Sequence, residues 1–385
     1  MSKRVLFYIQ HLLGIGHLKR ASLIAEAMAE SGLGVTVVLG GPDVAGVSFD
    51  GCARVLLPSV RASDETFKTL LDEHDVPIDD DWRETRAARL LTAFEAIEPD
   101  VLMVEQFPFG RRQFRFELMP LLAAARVAAK PPRVLSSVRD VLVRKADPKR
   151  SEEMVTLARS WFDRVLVHGD RNVLPLEASL PEAAGLGDRL IYTGYVVDTA
   201  TAGADGDRVL GRDEVVVSVG GGAVGEPLLR AAIAARPLSR LSGKVWRLIC
   251  GPNLSDSVLD ELSWDAPPGV VFDRWRTDFP VLLRNCALSI SQGGYNTVMD
   301  VLQAQSRAVI VPFAAGTETE QEFRARALER RGLLSVVDPG ALSPNVLASA
   351  VDKALEIDPS ASNIDFRGAE ATARIVTKLC LGNEN

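Results

Sequence analysis

The stretch Leu288-Ser289-Ile290-Ser291-Gln292-Gly293-Gly294-Tyr295-Asn296-Thr297 carries an apolar strand through two glycines into the start of a helix. It belongs to a longer unit, Asn285 to Gln321. An amphipathic segment runs to Ala304, a second strand follows at Ala308-Val309-Ile310-Val311-Pro312-Phe313, and the acidic turn Thr317-Glu318-Thr319-Glu320-Gln321 opens a second helix. A strand–turn–helix of this kind puts unpaired backbone N–H groups and the positive end of a helix dipole beside the carboxyl end of a strand. A phosphate suits that place.

Upstream, Val215-Val216-Val217-Ser218-Val219 leads into Gly220-Gly221-Gly222-Ala223-Val224-Gly225, which satisfies G-x-G-x-x-G. A dinucleotide site needs a carboxylate at the end of the next strand to hold the ribose. That strand ends Ile249-Cys250-Gly251-Pro252, with no carboxylate. The glycines therefore read as a close approach of backbone to phosphate. Two such turns, each followed by a helix, would converge on one strand edge and suit a diphosphate. Asp300 could then accept from a ribose, and Glu320 and Gln321 from sugar hydroxyls. Taken singly, each of these is more often a surface residue; their common location is the argument.

Further apolar runs in this half are Val245 to Cys250, Val270 to Phe272, Val309 to Phe313 and Ser335 to Val337. The first half repeats the pattern, with runs at Arg4 to Gln10, Val35 to Leu39, Val101 to Val104, Val134 to Val138 and Val165 to Val167, separated by helical periodicities. Continuous apolar strands alternating with helices predict an α/β chain of two doubly wound, Rossmann-like domains with parallel sheets covered on both faces. The expected boundaries are residues 1–197 for the first domain, 198–213 for an Ala/Gly/Asp-rich linker, and 214–385 for the second, its last helix packing back on the first.

In such sheets ligands bind beyond the carboxyl ends of the strands. The first domain places there Gly14 to His17, Gly40-Gly41, Glu105, Arg139-Asp140 and His168-Gly169. His17, opening a helix after a glycine turn, is the candidate general base; a capping or packing histidine is the alternative. Glu105, Arg111 and Arg139 are candidates for acceptor contact. Arg111 lies in Phe107-Pro108-Phe109-Gly110-Arg111-Arg112-Gln113-Phe114-Arg115-Phe116. That segment reads first as core phenylalanines with a charged face, and second as a membrane-surface contact. Asp79-Asp80-Asp81 reads as a solvated helix start in preference to a metal cluster.

Over 385 residues, 47% hydrophobic and 25% charged composition leaves room for two domains with substantial cores. A net charge of −7 and a pI near 5.4 weigh against a nucleic-acid backbone as main partner. The four cysteines are scattered without a C-x-x-C pair, which suggests neither a metal site nor a disulfide framework and fits a reducing cytoplasm. The N-terminal apolar run is broken at Gln10 and His11 and reads as a buried strand, and no run reaches the ~18 residues of a membrane span.

The stretch Ser291 to Asp300, followed by Val311-Pro312-Phe313 and Glu320-Gln321-Glu322-Phe323, resembles the donor signature of GT-B glycosyltransferases related to the peptidoglycan N-acetylglucosaminyl transferase MurG. The similarity extends to Gly220-Gly221-Gly222, to Tyr192-Thr193-Gly194 and to Gly14-Ile15-Gly16-His17, and is thin between residues 45 and 160. It departs from the pattern at the less glycine-rich opening turn and at Asp300, where glutamate is usual. The resemblance implies two Rossmann-like domains facing across a cleft, with the nucleotide-sugar on the second and the acceptor on the first. Gly220, Gly221, Gly222, Gly293 and Gly294 would face the diphosphate with Thr297 beside it, Asp300 would take the ribose, and Gln321 and Glu322 would meet the donor sugar. Gly14, Gly16, Gln292, Asn296 and Glu320 complete the implied donor side, and His17 falls on the base.

It further implies an inverting transfer of a hexose or N-acetylhexosamine from a UDP-type donor to a lipid-linked or glycan acceptor, without metal or cofactor, by a cytoplasmic protein with peripheral membrane contact at most. A nucleotide-sugar hydrolase or epimerase on the same fold is the alternative reading, and a non-catalytic sugar-nucleotide binding module the third.

Overall fold

The computed structural model describes residues 2–12, 16–44, 46–63, 69–142, 147–198, 210–220, 225–251, 254–313, 319–361 and 363–382. The chain divides into two units, Met1–Val196 with Asp365–Asn385, and Val197–Ile364.

The first unit holds β1 (Arg4–Ile9), α1 (Gly16–Glu30), β2 (Gly34–Leu39), β3 (Ala53–Leu56), the short pair β4 (Arg61–Ala62) and β5 (Leu70–Leu71), α2 (Asp80–Ile97), β6 (Val101–Glu105), α3 (Arg115–Val127), β7 (Arg133–Arg139), α4 (Pro148–Trp161), β8 (Arg164–His168) and β9 (Leu190–Tyr192). Its described sheet runs β3-β2-β1-β6-β7-β8-β9, all parallel. The central strand shows why the fold needs two helical layers. Val5 to Ile9 are fully buried. Val5, Phe7 and Ile9 pack with Ile24 and Met28 of α1, while Leu6 and Tyr8 pack with Leu90 and Phe94 of α2 and with Leu118 and Leu121 of α3. Truncating one such side chain costs ~2–5 kcal/mol.

After Gly194 the backbone pairs with the returning segment: Tyr195 N–H donates to Asp365 O (2.7 Å) and Gly368 N–H to Tyr195 O (2.9 Å). A Cβ on Gly368 would meet Gly194 O at 2.4 Å, so that contact requires glycine. The final helix α11 (Gly368–Cys380) then lays Ala373, Val376 and Cys380 into the α1 side of the core.

The second unit holds β10 (Val215–Ser218), α5 (Glu226–Ala235), β11 (Trp246–Ile249), α6 (Asp256–Trp264), β12 (Val270–Asp273), α7 (Phe279–Asn285), β13 (Leu288–Gln292), α8 (Tyr295–Gln303), β14 (Ala308–Val311), α9 (Glu320–Arg330), β15 (Ser335–Val336) and α10 (Pro344–Ala354); α11 (Gly368–Cys380) belongs to the first. Its described sheet runs β12-β11-β10-β13-β14-β15, again parallel. Val215 and Val217 face the layer formed by α5 and α10, and Val216 faces Leu282 of α7. Both units are therefore doubly wound, as the alternating apolar runs predict.

Asp79, Asp80 and Asp81 begin α2, with Asp79 capping it by accepting from Trp82 N–H at 2.8 Å. Phe107, Phe109 and Phe114 are buried, so the aromatic half of that segment belongs to the core.

Candidate functional site

In each sheet the direction of winding reverses at one pair of strands, β1/β6 in the first unit and β10/β13 in the second. There the connections leave in opposite directions and open a crevice at the carboxyl ends, the usual ligand position in such folds.

In the second unit Ser218 of β10 pairs with Ser291 of β13, so each strand reaches its glycine turn two residues later, at Gly220 and Gly293. Gly220 has φ +64°, a conformation that disfavours side chains. A Cβ on Gly293 would lie 3.3 Å from both Ile310 Cγ2 and Pro312 Cα and 3.4 Å from Gln321 Cβ, so the turn is packed against the end of β14 and the start of α9. Gly294 caps α8 with no side-chain hydrogen bond, which leaves the first-turn N–H groups directed outward for an anion. Gly14, Gly221 and Gly222 lie outside the described residues, as do Thr317 and Glu318.

Around this turn Gln292, Gly294, Thr297 and Glu322 are half-buried and Asn296 is exposed. Gln321 accepts from Phe313 N–H at 3.0 Å, which commits its carbonyl and leaves its amide NH₂ as the group to meet a hydroxyl. Glu320 is buried in an ion pair with Arg324 (2.7 Å), whose guanidinium lies 4.9 Å over the Tyr295 ring. Its place is thus in fastening α9 to α8. The half-buried Asp300, one turn further along α8, has its carboxyl raised to about 7, by burial first and then by Asp198.

A candidate that sequence reasoning did not name is Trp275, which is 65% exposed two residues beyond β12. β12 stands two strands from β10, ~10 Å at ordinary strand spacing. The available signal was a tryptophan placed directly after a strand.

The first unit brings together the residues that the sequence singled out separately. Glu105 ends β6 and is 1% exposed. Its Oε1 lies 3.1 Å from His17 Nδ1 and accepts from Arg20 Nη2 at 2.6 Å. His17, in the first turn of α1, is 18% exposed. Its imidazole is lowered to about 3, chiefly by burial and then by the charge of Arg139, with Glu105 opposing. Burial alone would raise Glu105, but His17, Arg20 and Arg111 hold it down at about 2. Carboxylate and neutral imidazole therefore coexist at neutral pH. With Nδ1–H donating to Glu105, Nε2 carries the free lone pair.

Arg111 reaches this cluster because its backbone is left-handed, φ +58°, in a loop where Gln106 also has φ +65°. Arg112 and Arg115 turn instead toward Glu153, at 4.0 and 2.7 Å. Behind the cluster Arg86 and Glu117 form a fully buried pair (2.8 Å), with Arg86 also donating to Gly40 O at 2.9 Å and Tyr8 donating to Glu117. Nothing in the sequence pattern signalled this pair, since Arg86 occupies an inward position of α2 where an apolar residue is the rule.

Among the described residues no group of three or more His, Cys, Asp or Glu side chains is placed to hold a metal, and no helix is long and apolar enough to cross a membrane.

Residues 216–372 match the glycosyltransferase family 28 C-terminal domain. An uncharacterized glycosyltransferase of Methanopyrus kandleri is 29% identical over 163 residues, covering 42% of this chain and 44% of the relative. The UDP-N-acetylglucosamine–N-acetylmuramyl-(pentapeptide) pyrophosphoryl-undecaprenol N-acetylglucosamine transferase of Symbiobacterium thermophilum is 28% identical over 242 residues, 61% of this chain and 60% of that one. The matched stretches thus span less than two thirds of either relative. The crystal structure of MurG from Acinetobacter baumannii aligns over 98% of this chain and 99% of its own with TM-score 0.62 at 14% identity, a likeness of fold.

Proposed function

Starting from the chain's place in the MurG-like group of GT-B glycosyltransferases, we propose that it transfers a hexose or N-acetylhexosamine from a nucleoside diphosphate sugar, UDP-linked in the first instance, to an acceptor hydroxyl with inversion and without a metal. The second unit takes the donor. The turn at Gly220 and the N-terminus of α8 receive the diphosphate, Asp300 the ribose, and the Gln321 amide with Glu322 the sugar. Trp275 offers its indole face to the base. The first unit takes the acceptor.

The observation that carries this reading is the Glu105–His17 contact. It supports the tautomer in which Nδ1–H donates to Glu105 and Nε2 is the proton acceptor, and in this reading Glu105 stabilises the imidazolium that forms. In the step, Nε2 removes the acceptor hydroxyl proton as the oxygen bonds to the anomeric carbon. The bond from that carbon to the diphosphate breaks with its electron pair going to the departing oxygen. Backbone N–H groups at the start of α8 meet the new negative charge, so no metal is needed for that purpose. Any membrane contact is peripheral in this reading.

The test is incubation of purified protein with a panel of nucleotide-sugars, with and without phosphorylated polyprenol and glycan acceptors. The proposal expects nucleotide release that requires an acceptor and is lost in His17→Ala. Stoichiometric, His17-dependent release of free sugar without acceptor would instead establish hydrolysis.

A further inference from the structure

Buried polar atoms without a protein partner are few in folded chains, and each asks for an explanation. Among the described residues several gather at one place, the carboxyl edge of β1 and β6: Glu105 Oε2, Gln106 Nε2 and Arg111 Nε, beside the His11 ring, which is hydrogen-bonded to the Pro42 backbone on one side. His11 is 4% exposed and Gln106 is 6% exposed. His11 immediately follows Gln10 at the end of β1 and packs on Gly41, where a Cβ would meet its ring at 2.4 Å. Gln106 follows Glu105 and lies against Gly110, beside Arg111. His11, Glu105 and Arg111 feel one another's charge, and Arg111 also feels that of Arg20 and Arg139.

Two features give this cluster a sign. Arg20 and Arg111 act on the carboxylate Glu105, which Arg20 and His17 already engage, while the charge of Arg139 falls on Arg111 and His17. The atoms left over include two donors side by side in one loop, the Gln106 amide NH₂ and the Arg111 guanidinium Nε–H. Two left-handed non-glycine positions in one loop, Gln106 and Arg111, cost ~1 kcal/mol or more each and serve to keep Arg111 turned inward while Arg112 and Arg115 turn away. Forked guanidinium donors match a planar or tetrahedral oxyanion.

We propose that His11, Gln106 and Arg111, with Arg139 beside them, form a recognition site for an oxyanionic group, phosphate or carboxylate, carried by the acceptor close to its reacting hydroxyl. This rests on the reading of the first unit as the acceptor side, and it selects charged acceptors over neutral ones. It also ties recognition to chemistry. Arg139 is the charge that most depresses His17, and burial together with Arg139 and Arg20 lowers Arg111 itself. An anion here offsets both and restores basicity to His17 when acceptor is bound.

The test uses the full chain in low salt, with phenyl phosphate and benzoate as probes, titrated calorimetrically in the presence of a saturating nucleoside diphosphate so that the donor turn is occupied. One probe should bind at one per chain, which also decides between phosphate and carboxylate. Arg111→Gln and His11→Gln should each weaken it at least about tenfold, the ~1.4 kcal/mol of one charge-assisted hydrogen bond, with unchanged nucleotide affinity showing that the variants are folded. His17→Ala should bind the probe within about twofold of wild type. Failure of both probes to bind wild type, or binding by the two variants as tight as by wild type, overturns the site while nucleotide binding leaves the transferase reading standing. Arg111-dependent probe binding by a chain that binds no nucleoside diphosphate supports the site and removes the transferase reading.

Discussion

Replacing Glu105 by glutamine tests how the first unit's cluster is held together. Glu105 is the common partner of a buried guanidinium and of His17. The amide oxygen of glutamine can still accept from Arg20 and from His17 Nδ1–H, so hydrogen bonds survive and charge does not. Removing one partner of a buried ion pair costs ~3–5 kcal/mol, because the other charge stays buried. With the acceptor oxygen retained, about 3 kcal/mol is the expected loss. A unit of roughly 200 residues loses ~2–4 °C per kcal/mol, so its calorimetric transition should fall by about 6–12 °C. Glu105→Leu combined with Arg20→Leu removes both charges and should cost less than the single change. Transfer should slow by ~10²–10⁴-fold in Glu105→Gln, since the imidazolium loses its counter-charge. A transition within about 2 °C of wild type would refute the reasoning, because Arg20 would then be neutralised elsewhere.

Other consequences follow from the same cluster and from the donor turn. His17 and His168 are both held at about 3, below the ordinary 6.5, His168 by burial and by Arg20 while it bridges Ser137 and Thr193. The unfolded chain therefore binds more protons below 6.5, and stability is full above that pH and falls as pH drops toward 3; Glu105, held at about 2, adds a further loss below 4.5. A urea-unfolding series from pH 7 to 4.5 should show His17→Gln reducing the pH slope by about one proton, and an unchanged slope would contradict the assignment. For the donor, a ribose hydroxyl donates to ionised Asp300, whose carboxyl is raised to about 7, so nucleotide affinity should rise between pH 6 and 8 and the rise should vanish in Asp300→Asn. Trp275→Ala should weaken nucleotide binding by ~1–3 kcal/mol, about five- to 150-fold, in a calorimetric titration, while the same change at exposed Trp264 does nothing.

Much of the architecture was legible because buried parallel strands leave continuous apolar runs. β1, β2, β6, β7 and β8, and β10 to β15, all stand where such runs occur. β3 was not legible: it is an edge strand with mostly exposed residues, so no apolar run marks it. The start of α2 was legible at Asp79-Asp80-Asp81, but its inward face was obscured because it includes Arg86, whose burial depends on Glu117, 31 residues away. The site was legible in its parts. Strand ends named Glu105 and Arg139, and a glycine turn named His17, but that these meet follows from the order β1-β6-β7, which adjacent sequence does not encode. His11 read only as a break in an apolar strand. Its meaning comes from burial beside Arg111, whose charge, after burial itself, lowers the imidazole.

The central claim is that the second unit binds a nucleoside diphosphate at the turns ending β10 and β13. Hydrogen–deuterium exchange of the full chain with and without UDP, TDP, GDP or CDP measures this directly. For at least one nucleotide, protection should appear in peptides spanning Ser218 to Gly220 and Gly293 to Asp300. Protection confined to other segments, or none with any of the four, would contradict the account.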